Sequence, residues 1–269
     1  MPEKFRSNFH VHTYISPCCG DREGCTPENL LRVAEGYGLR EVGFCDHIFV
    51  PRPTMKEGYG ASENEFLLLR SQVRMIEGGR IRPLLGWEVD VFGKGLYSIH
   101  EKYLEYLDFV TLACHFYPDE PERVASMSPD KAAGRILNRY MIAATTEFAD
   151  IIAHPFHLHK QWFSDADSIM DRISQNNLEE FMCAVKENGL ALEFSPVLFR
   201  ADFWSVQNAY RIYETARSMG ARLAPGSDAH TPSAVAAHLM TVFAVEELRL
   251  DDSHFVVYDE LRHAGRRKI

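Results

Sequence analysis

Long apolar runs are missing from this sequence, since every hydrophobic stretch is short and broken by charge, and this argues against a membrane-spanning helix. The start, Met1-Pro2-Glu3-Lys4, leads straight into a candidate strand without the apolar core of a signal peptide, so a cytoplasmic setting is expected. Basic charge is also scarce. There are 29 Lys and Arg against 38 Asp and Glu, a net charge of -9, whereas gripping a nucleic acid polymer takes a basic face that displaces counterions. A small anionic substrate is still allowed, because bound cations reverse a local field. The six cysteines (Cys18, Cys19, Cys25, Cys45, Cys114, Cys183) contain no C-x-x-C pair and no disulfide framework, which fits a reducing compartment. Repeats, low-complexity tracts and linkers are absent, so residues 1–269 read as one domain.

What is present is an alternation of short apolar segments with helical patterns, the signature of parallel βα units. Seven strands are expected: Arg6 to His12, Glu41 to Asp46, Ile81 to Val91, Phe109 to His115, Ile151 to His154, Leu190 to Phe194 and Arg222 to Pro225. Helix starts are chemically marked at Thr26-Pro27-Glu28, at the capping-box sequence Ser62-Glu63-Asn64-Glu65, and at Ser128-Pro129-Asp130, which opens a helix expected to reach about Ala149. A further helix is expected from Ser205 to Met219, stopping at Gly220. Two irregular stretches, Ile48 to Ala61 and Tyr117 to Met127, each follow a strand end and are read as parts of a pocket wall.

The strand ends carry the chemistry. His10 and His12 share one face of the first strand, with Phe9 and Val11 expected on the other. Later strands end in Asp46-His47, in Glu88 within Gly86-Trp87-Glu88-Val89-Asp90, in His115, in His154-Pro155 and in Ser227-Asp228-Ala229-His230. Ligands bind outside the carboxyl ends of strands in parallel α/β folds. Six of seven strands thus deliver imidazole or carboxylate to one rim, which points to a metal cluster. The mixture suits Zn, Mn or Fe better than Ca or Mg, and one ion cannot use so many ligands. Two or three divalent transition metals are implied, with Glu88 or Asp228 as bridging carboxylates.

In this order and spacing, these motifs resemble the polymerase and histidinol phosphatase (PHP) family, most closely its stand-alone histidinol-phosphate phosphatases. The resemblance covers nearly the whole chain. It implies an α/β fold, a distorted seven-stranded (β/α)7 TIM-like barrel, with a trinuclear metal site at the C-terminal rim and phosphoesterase activity. Carried over by position, it places His10, His12, Glu88 and Asp228 around one metal, and Glu88, His115 and His154 around a second. His47, His230 and Cys18 fall to a third, with Cys18 where the family usually has His or Asp. The resemblance also implies basic phosphate contacts in two regions, which here hold Arg200, after the sixth strand, and Lys160, after the fifth. Asp46 is expected to orient a ligand histidine.

The expected reaction is attack on phosphorus by a metal-bound hydroxide, with Arg200 stabilising charge on the equatorial oxygens and Asp228, His230 or a bound water protonating the leaving group. No Ser-His-Asp or reactive-cysteine arrangement competes with it. The substrate is expected to be a small phosphate monoester, L-histidinol phosphate in the leading case. Leu192-Glu193-Phe194-Ser195-Pro196 departs from the asparagine-bearing segment of the histidinol enzymes, which keeps cyclic phosphates and nucleotides as alternatives. An amidohydrolase would need a bridging lysine where this chain has Cys114-His115. A non-catalytic metal-binding module is the remaining alternative.

Overall fold

The computed structural model describes residues 1–48, 60–76, 79–115, 126–158, 165–200 and 205–264. Seven parallel strands form its sheet: β1 (Ser7–Val11), β2 (Glu41–Asp46), β3 (Arg82–Gly93), β5 (Thr111–Ala113), β6 (Ile151–Ile152), β7 (Ala191–Phe194) and β8 (Arg222–Pro225), hydrogen-bonded in that order. The intervening β4 (Leu96–Tyr97) pairs antiparallel with the overlong β3 through a turn in which Gly95 takes a φ of 73°. The sheet closes between β8 and β1. Here His12 donates its N–H to the Ala229 carbonyl at 2.9 Å, and the Asn8 amide donates to Ser227 Oγ at 2.8 Å while accepting the Ser227 N–H at 3.1 Å. Together these make a nearly closed (β/α)7 barrel of TIM-like type, as the sequence predicts. The hairpin strand β4 is the unforeseen addition.

Two apolar layers explain the closure. Phe9, Cys45, Leu84, Phe109, Ile151, Ala191 and Ala224 come from around the whole barrel and pack as one interior cluster. Val11, Val42, Phe44, Leu85, Trp87, Leu112 and Leu192 belong instead to the outer core, under the helices. Phe109 fills the middle of the barrel because its neighbours have no side chains: a Cβ on Gly43 would meet its ring at 2.5 Å and one on Gly86 at 2.3 Å. The expectation that Phe9 would share the face of Val11 is corrected. Between Asn8 and Val11 the β1–β2 register slips by one residue, and this bulge turns Phe9 inward beside His10.

The helices start where the sequence marks them. Thr26 caps α1 (Pro27–Gly36), and Ser62 with Glu65 forms the capping box of α2 (Glu63–Met75). Helix α3 (Pro129–Ala144) ends earlier than expected, in the consecutive threonines Thr145 and Thr146 whose hydroxyls turn back to carbonyls of the last turn. Then follow α4 (Ala166–Asp171), α5 (Gln175–Glu187), α6 (Val206–Met219) and α7 (Val242–Glu247). At the opposite end from the strand carboxyl termini, the chain after α7 bonds to β8 through Leu223, and Val256, Tyr258 and Leu261 plug the interior cluster. Among the described residues no helix is long and apolar enough to cross a membrane.

Candidate metal centre

All nine residues expected as ligands converge at the carboxyl ends of the strands. His10 lies on β1 and Glu88 on β3. The other seven lie just past strand ends: His12 and Cys18 after β1, His47 after β2, His115 after β5, His154 after β6, and Asp228 and His230 after β8. Asp228 has a left-handed backbone, φ 51°, and Phe156, just after His154, has φ 58°. Each non-glycine residue there costs about 1–3 kcal/mol, which the surrounding packing must supply.

Glu88 is the hub. Its Oε2 lies 2.9 Å from His47 Nε2, 3.2 Å from His10 Nε2 and 3.5 Å from His12 Nε2. The other oxygen, Oε1, lies 3.1 Å from His154 Nε2 and 3.8 Å from His115 Nε2. One carboxylate therefore faces two groups of imidazoles, the geometry of a bridging ligand. On the far side, Asp228 Oδ1 lies 3.1 Å from His12 Nε2 and 3.6 Å from His10 Nε2, and the His230 ring stacks on that of His12 at 4.5 Å.

A layer of buried partners orients these ligands. Asp90 holds His115 Nδ1 at 2.8 Å. Glu193, from β7, places Oε2 at 3.0 Å from His10 Nδ1, and the same oxygen accepts the His154 backbone N–H at 2.9 Å. Its other oxygen packs so close to Gly226 that a Cβ there would stand 2.4 Å away. Asp46 acts differently from the expectation: its carboxylate accepts the Thr13 N–H at 2.7 Å and hydroxyl at 2.8 Å, and stands 3.9 Å from His12 Nδ1. It pins the chain leaving β1, while His12 Nδ1 meets Ser16 Oγ at 3.2 Å. Glu193 and Asp90 were the functional residues missed in the sequence. Their signal was alternation, because Glu88 and Asp90, like Ala191 and Glu193, share a strand face.

Electrostatics follow from this crowding. Burial opposes charge on His10, Glu88 and Asp228, yet the opposite charges beside each of them outweigh it. The His10 imidazole is raised well above its usual value by Glu193, Glu88 and Asp228. Glu88 is drawn well below the carboxylate range by His47 and His10, and Asp228 by His10 and His12. His12 is raised to about 10, burial being outweighed by Cys18 and Asp228. Burial would raise the Cys18 thiol, but His12, His230 and His47 bring it down to about 3. Asp46 moves the other way, to about 6, because burial outweighs its hydrogen bonds.

The residues fit metal ions. Buried His10 Nε2 and Glu88 Oε2 face each other outside hydrogen-bonding geometry, as donors aimed at a shared cation do. Four three-residue donor groups lie within reach of single ions: His10-His12-Glu88, His47-Glu88-His115, His12-Asp228-His230 and His12-Cys18-His47. Glu88 falls in two of these groups and His12 in three, while His154 falls in none and Cys18, His47 and His230 do not fall together in one, so the groups differ from the expected three-way division. Among the phosphate contacts, Arg200 is exposed after the 3-10 turn Pro196–Phe199 that follows β7. Lys160 lies outside the described residues, as do most of the two stretches read as pocket wall.

The barrel and its rim of imidazoles and carboxylates define a TIM-like α/β protein built to hold several divalent metals. None of the protein-family models matches the chain. A probable histidinol-phosphatase of Deinococcus radiodurans is 28% identical over 251 residues, spanning 89% of this chain and 91% of that protein. A histidinol phosphate phosphatase from Lactococcus lactis, solved with zinc, L-histidinol and phosphate, superposes with a TM-score of 0.60 at 14% identity, over 90% of this chain and 92% of its own. Another structure, from Listeria monocytogenes and provisionally assigned as a histidinol phosphatase, gives 0.62 at 14% identity, over 85% and 96%. The structural likenesses carry the fold. The curated relative makes the chain similar to histidinol phosphatases, in agreement with the resemblance its ordered motifs carry.

Proposed function

We propose that this chain is a metal-dependent phosphomonoesterase acting as one domain on a small phosphorylated substrate, with L-histidinol phosphate as the leading candidate. The observation that carries the proposal is Glu88, whose two oxygens divide five imidazoles into two groups within one buried pocket. Likeness to phosphatases over most of the chain supports the reaction class.

In this reading His10, His12, Glu88 and Asp228 hold one ion, His115 and His154 a second across Glu88, and His47, His230 and Cys18 a third. Bound zinc, manganese or iron supplies Lewis acidity, polarising phosphoryl oxygens and bringing a water into the ionisation range of neutral pH. The chain's own residues do the rest. Glu193 and Asp90 fix the ring orientations of His10 and His115, so the ligands require little rearrangement when substrate arrives. Asp228, held ionised by His10 and His12, is suited to ligating a cation rather than to donating a proton. His230 is the more exposed of the two, 37% against 15% for the side chains, but its Nδ1 is taken by the Asp228 carbonyl at 2.8 Å, so as a ligand it leaves protonation of the alkoxide to water. Arg200 is assigned to the non-bridging phosphate oxygens, for which a guanidinium fork is suited. A reducing cytoplasmic setting suits six cysteines that are all free thiols.

The test is phosphate release by zinc-, manganese- and iron-loaded protein from L-histidinol phosphate, p-nitrophenyl phosphate and bis-p-nitrophenyl phosphate. Hydrolysis of the monoesters, lost in His115→Ala and Asp228→Asn, is the expected result. Metal-replete protein that hydrolyses only the diester, or none of the three, would overturn the monoesterase reading.

A further inference from the structure

One donor in the cluster is chemically unlike the others. Cys18 Sγ lies with nitrogens of His12 and His47 in a group whose ligand atoms are all within 4.8 Å of one another, and the His230 ring stacks on that of His12 at 4.5 Å. Beneath it is the buried hydroxyl of Ser16, 3.1 Å from Cys18 Sγ and 3.2 Å from His12 Nδ1. An arrangement in which His12 Nδ1–H donates to Ser16 Oγ, and the Ser16 hydroxyl donates to sulfur, satisfies all three atoms with two protons. It presents sulfur as an acceptor and turns His12 Nε2 toward Glu88 and Asp228. The neighbouring thiols are engaged elsewhere. Cys19 and Cys25 both direct Sγ at the His230 carbonyl, at 3.8 and 3.7 Å.

Ligand counting sharpens the point. Three of the four donor groups contain His12, whose Nε2 serves one ion at a time. When His12 is committed to His10, Glu88 and Asp228, the remaining donors at the mouth are Cys18, His47 and His230. We propose that Cys18 with His47 and His230 forms a thiophilic subsite that selects zinc, cobalt or cadmium over manganese or magnesium, while the all-nitrogen-and-oxygen positions around Glu88 do not discriminate in this way. A thiolate is a soft donor, and softness together with geometry decides selection among divalent ions. The proposal rests on the metal-dependent reading above and adds unequal metal preference within one centre.

Cobalt reports on it independently of turnover, because sulfur bound to Co2+ produces an intense near-ultraviolet charge-transfer band. Titrating metal-free full-length protein with Co2+ is expected to give that band in wild type and in Cys19→Ser, and to lose it in Cys18→Ser. In equilibrium dialysis against Cd2+, Cys18→Ser is expected to weaken one binding step by more than about tenfold, since even an outer partner's loss costs that much. Cys18→Asp should restore occupancy with Mn2+ at the expense of Cd2+. Far-ultraviolet circular dichroism confirms that each variant is folded. A folded wild type that binds Co2+ without the band, or a Cys18→Ser protein with unchanged Cd2+ binding, overturns the subsite. If the band appears while no monoester is hydrolysed in any metal form, the subsite stands and the phosphatase reading fails.

Discussion

Replacing Glu193 with glutamine isolates one charge behind the metal centre. In the wild type a single oxygen, Oε2, takes both the His10 Nδ1–H at 3.0 Å and the His154 N–H at 2.9 Å. A glutamine carbonyl in the same place keeps both contacts and removes the negative charge. Hydrogen bonds to a charged partner contribute about 1.5–3 kcal/mol and neutral ones about 0.5–1.5, a difference of about 1–2 kcal/mol in the hold on His10. Since 1.4 kcal/mol is a factor of ten, Glu193→Gln is expected to weaken metal binding by roughly five- to thirtyfold, overlapping the roughly 10–100-fold loss typical of partners that orient ligand histidines. The assay is competition with a zinc chelator of known affinity, followed by turnover at saturating zinc. Weakened binding with near-normal turnover once loaded is the expected pair of results. Glu193→Ala differs in kind, because it strands two buried N–H groups at about 1–3 kcal/mol each and should lower folding stability as well. Unchanged zinc affinity in a folded Glu193→Gln protein would refute an orienting role for the carboxylate.

Acid sensitivity should have a source remote from the centre. His238 is fully buried, donates Nε2–H to the Phe5 carbonyl at 3.2 Å, and burial lowers its pKa from 6.5 to about 4. The unfolded chain therefore takes up a proton below pH 6.5 that the folded chain refuses until about pH 4, so stability is lost as pH falls through that window. From pH 7 to pH 5 the loss is about 2 kcal/mol. His238→Gln, which keeps a donor but does not titrate, should gain that amount relative to wild type on going from pH 7 to pH 5 in urea melts of metal-free protein. Parallel pH dependences for the two proteins would contradict it. Inside the barrel, Gly86→Ala forces a Cβ to 2.3 Å from the Phe109 ring and is expected to cost about 1–3 kcal/mol, with a measurable fall in Tm. Adding Phe109→Leu should recover part of that loss, whereas strictly additive destabilisation would show that the ring does not set the clash.

The barrel was readable because its strands are short, buried and punctuated by capped helices, so the alternation of periods carries the topology. The candidate ligands were readable as a group because each falls at or past a strand end and the pattern recurs from strand to strand. Four features were not legible, each for a physical reason. The bulge in β1 depends on register against β2, which one strand's alternation cannot reveal, and so Phe9 was placed on the wrong face. Glu193 sat in a segment read for its lack of asparagine, while its carboxylate bonds residues 183 and 39 positions away in sequence. The early end of α3 arises at Thr145 and Thr146, whose hydroxyls bond carbonyls of the last turn, a local choice that helical periodicity does not register. Asp46, read as a histidine partner, instead pins Thr13.

The central claim is that Glu88 bridges separate ions. Its most direct test is a zinc-loaded crystal of the full chain, with diffraction recorded on both sides of the zinc absorption edge. The account predicts at least two anomalous peaks, one beside Oε2 among His10, His12 and Asp228, and one beside Oε1 with His115 and His154. A single peak, or none at Glu88, would contradict it.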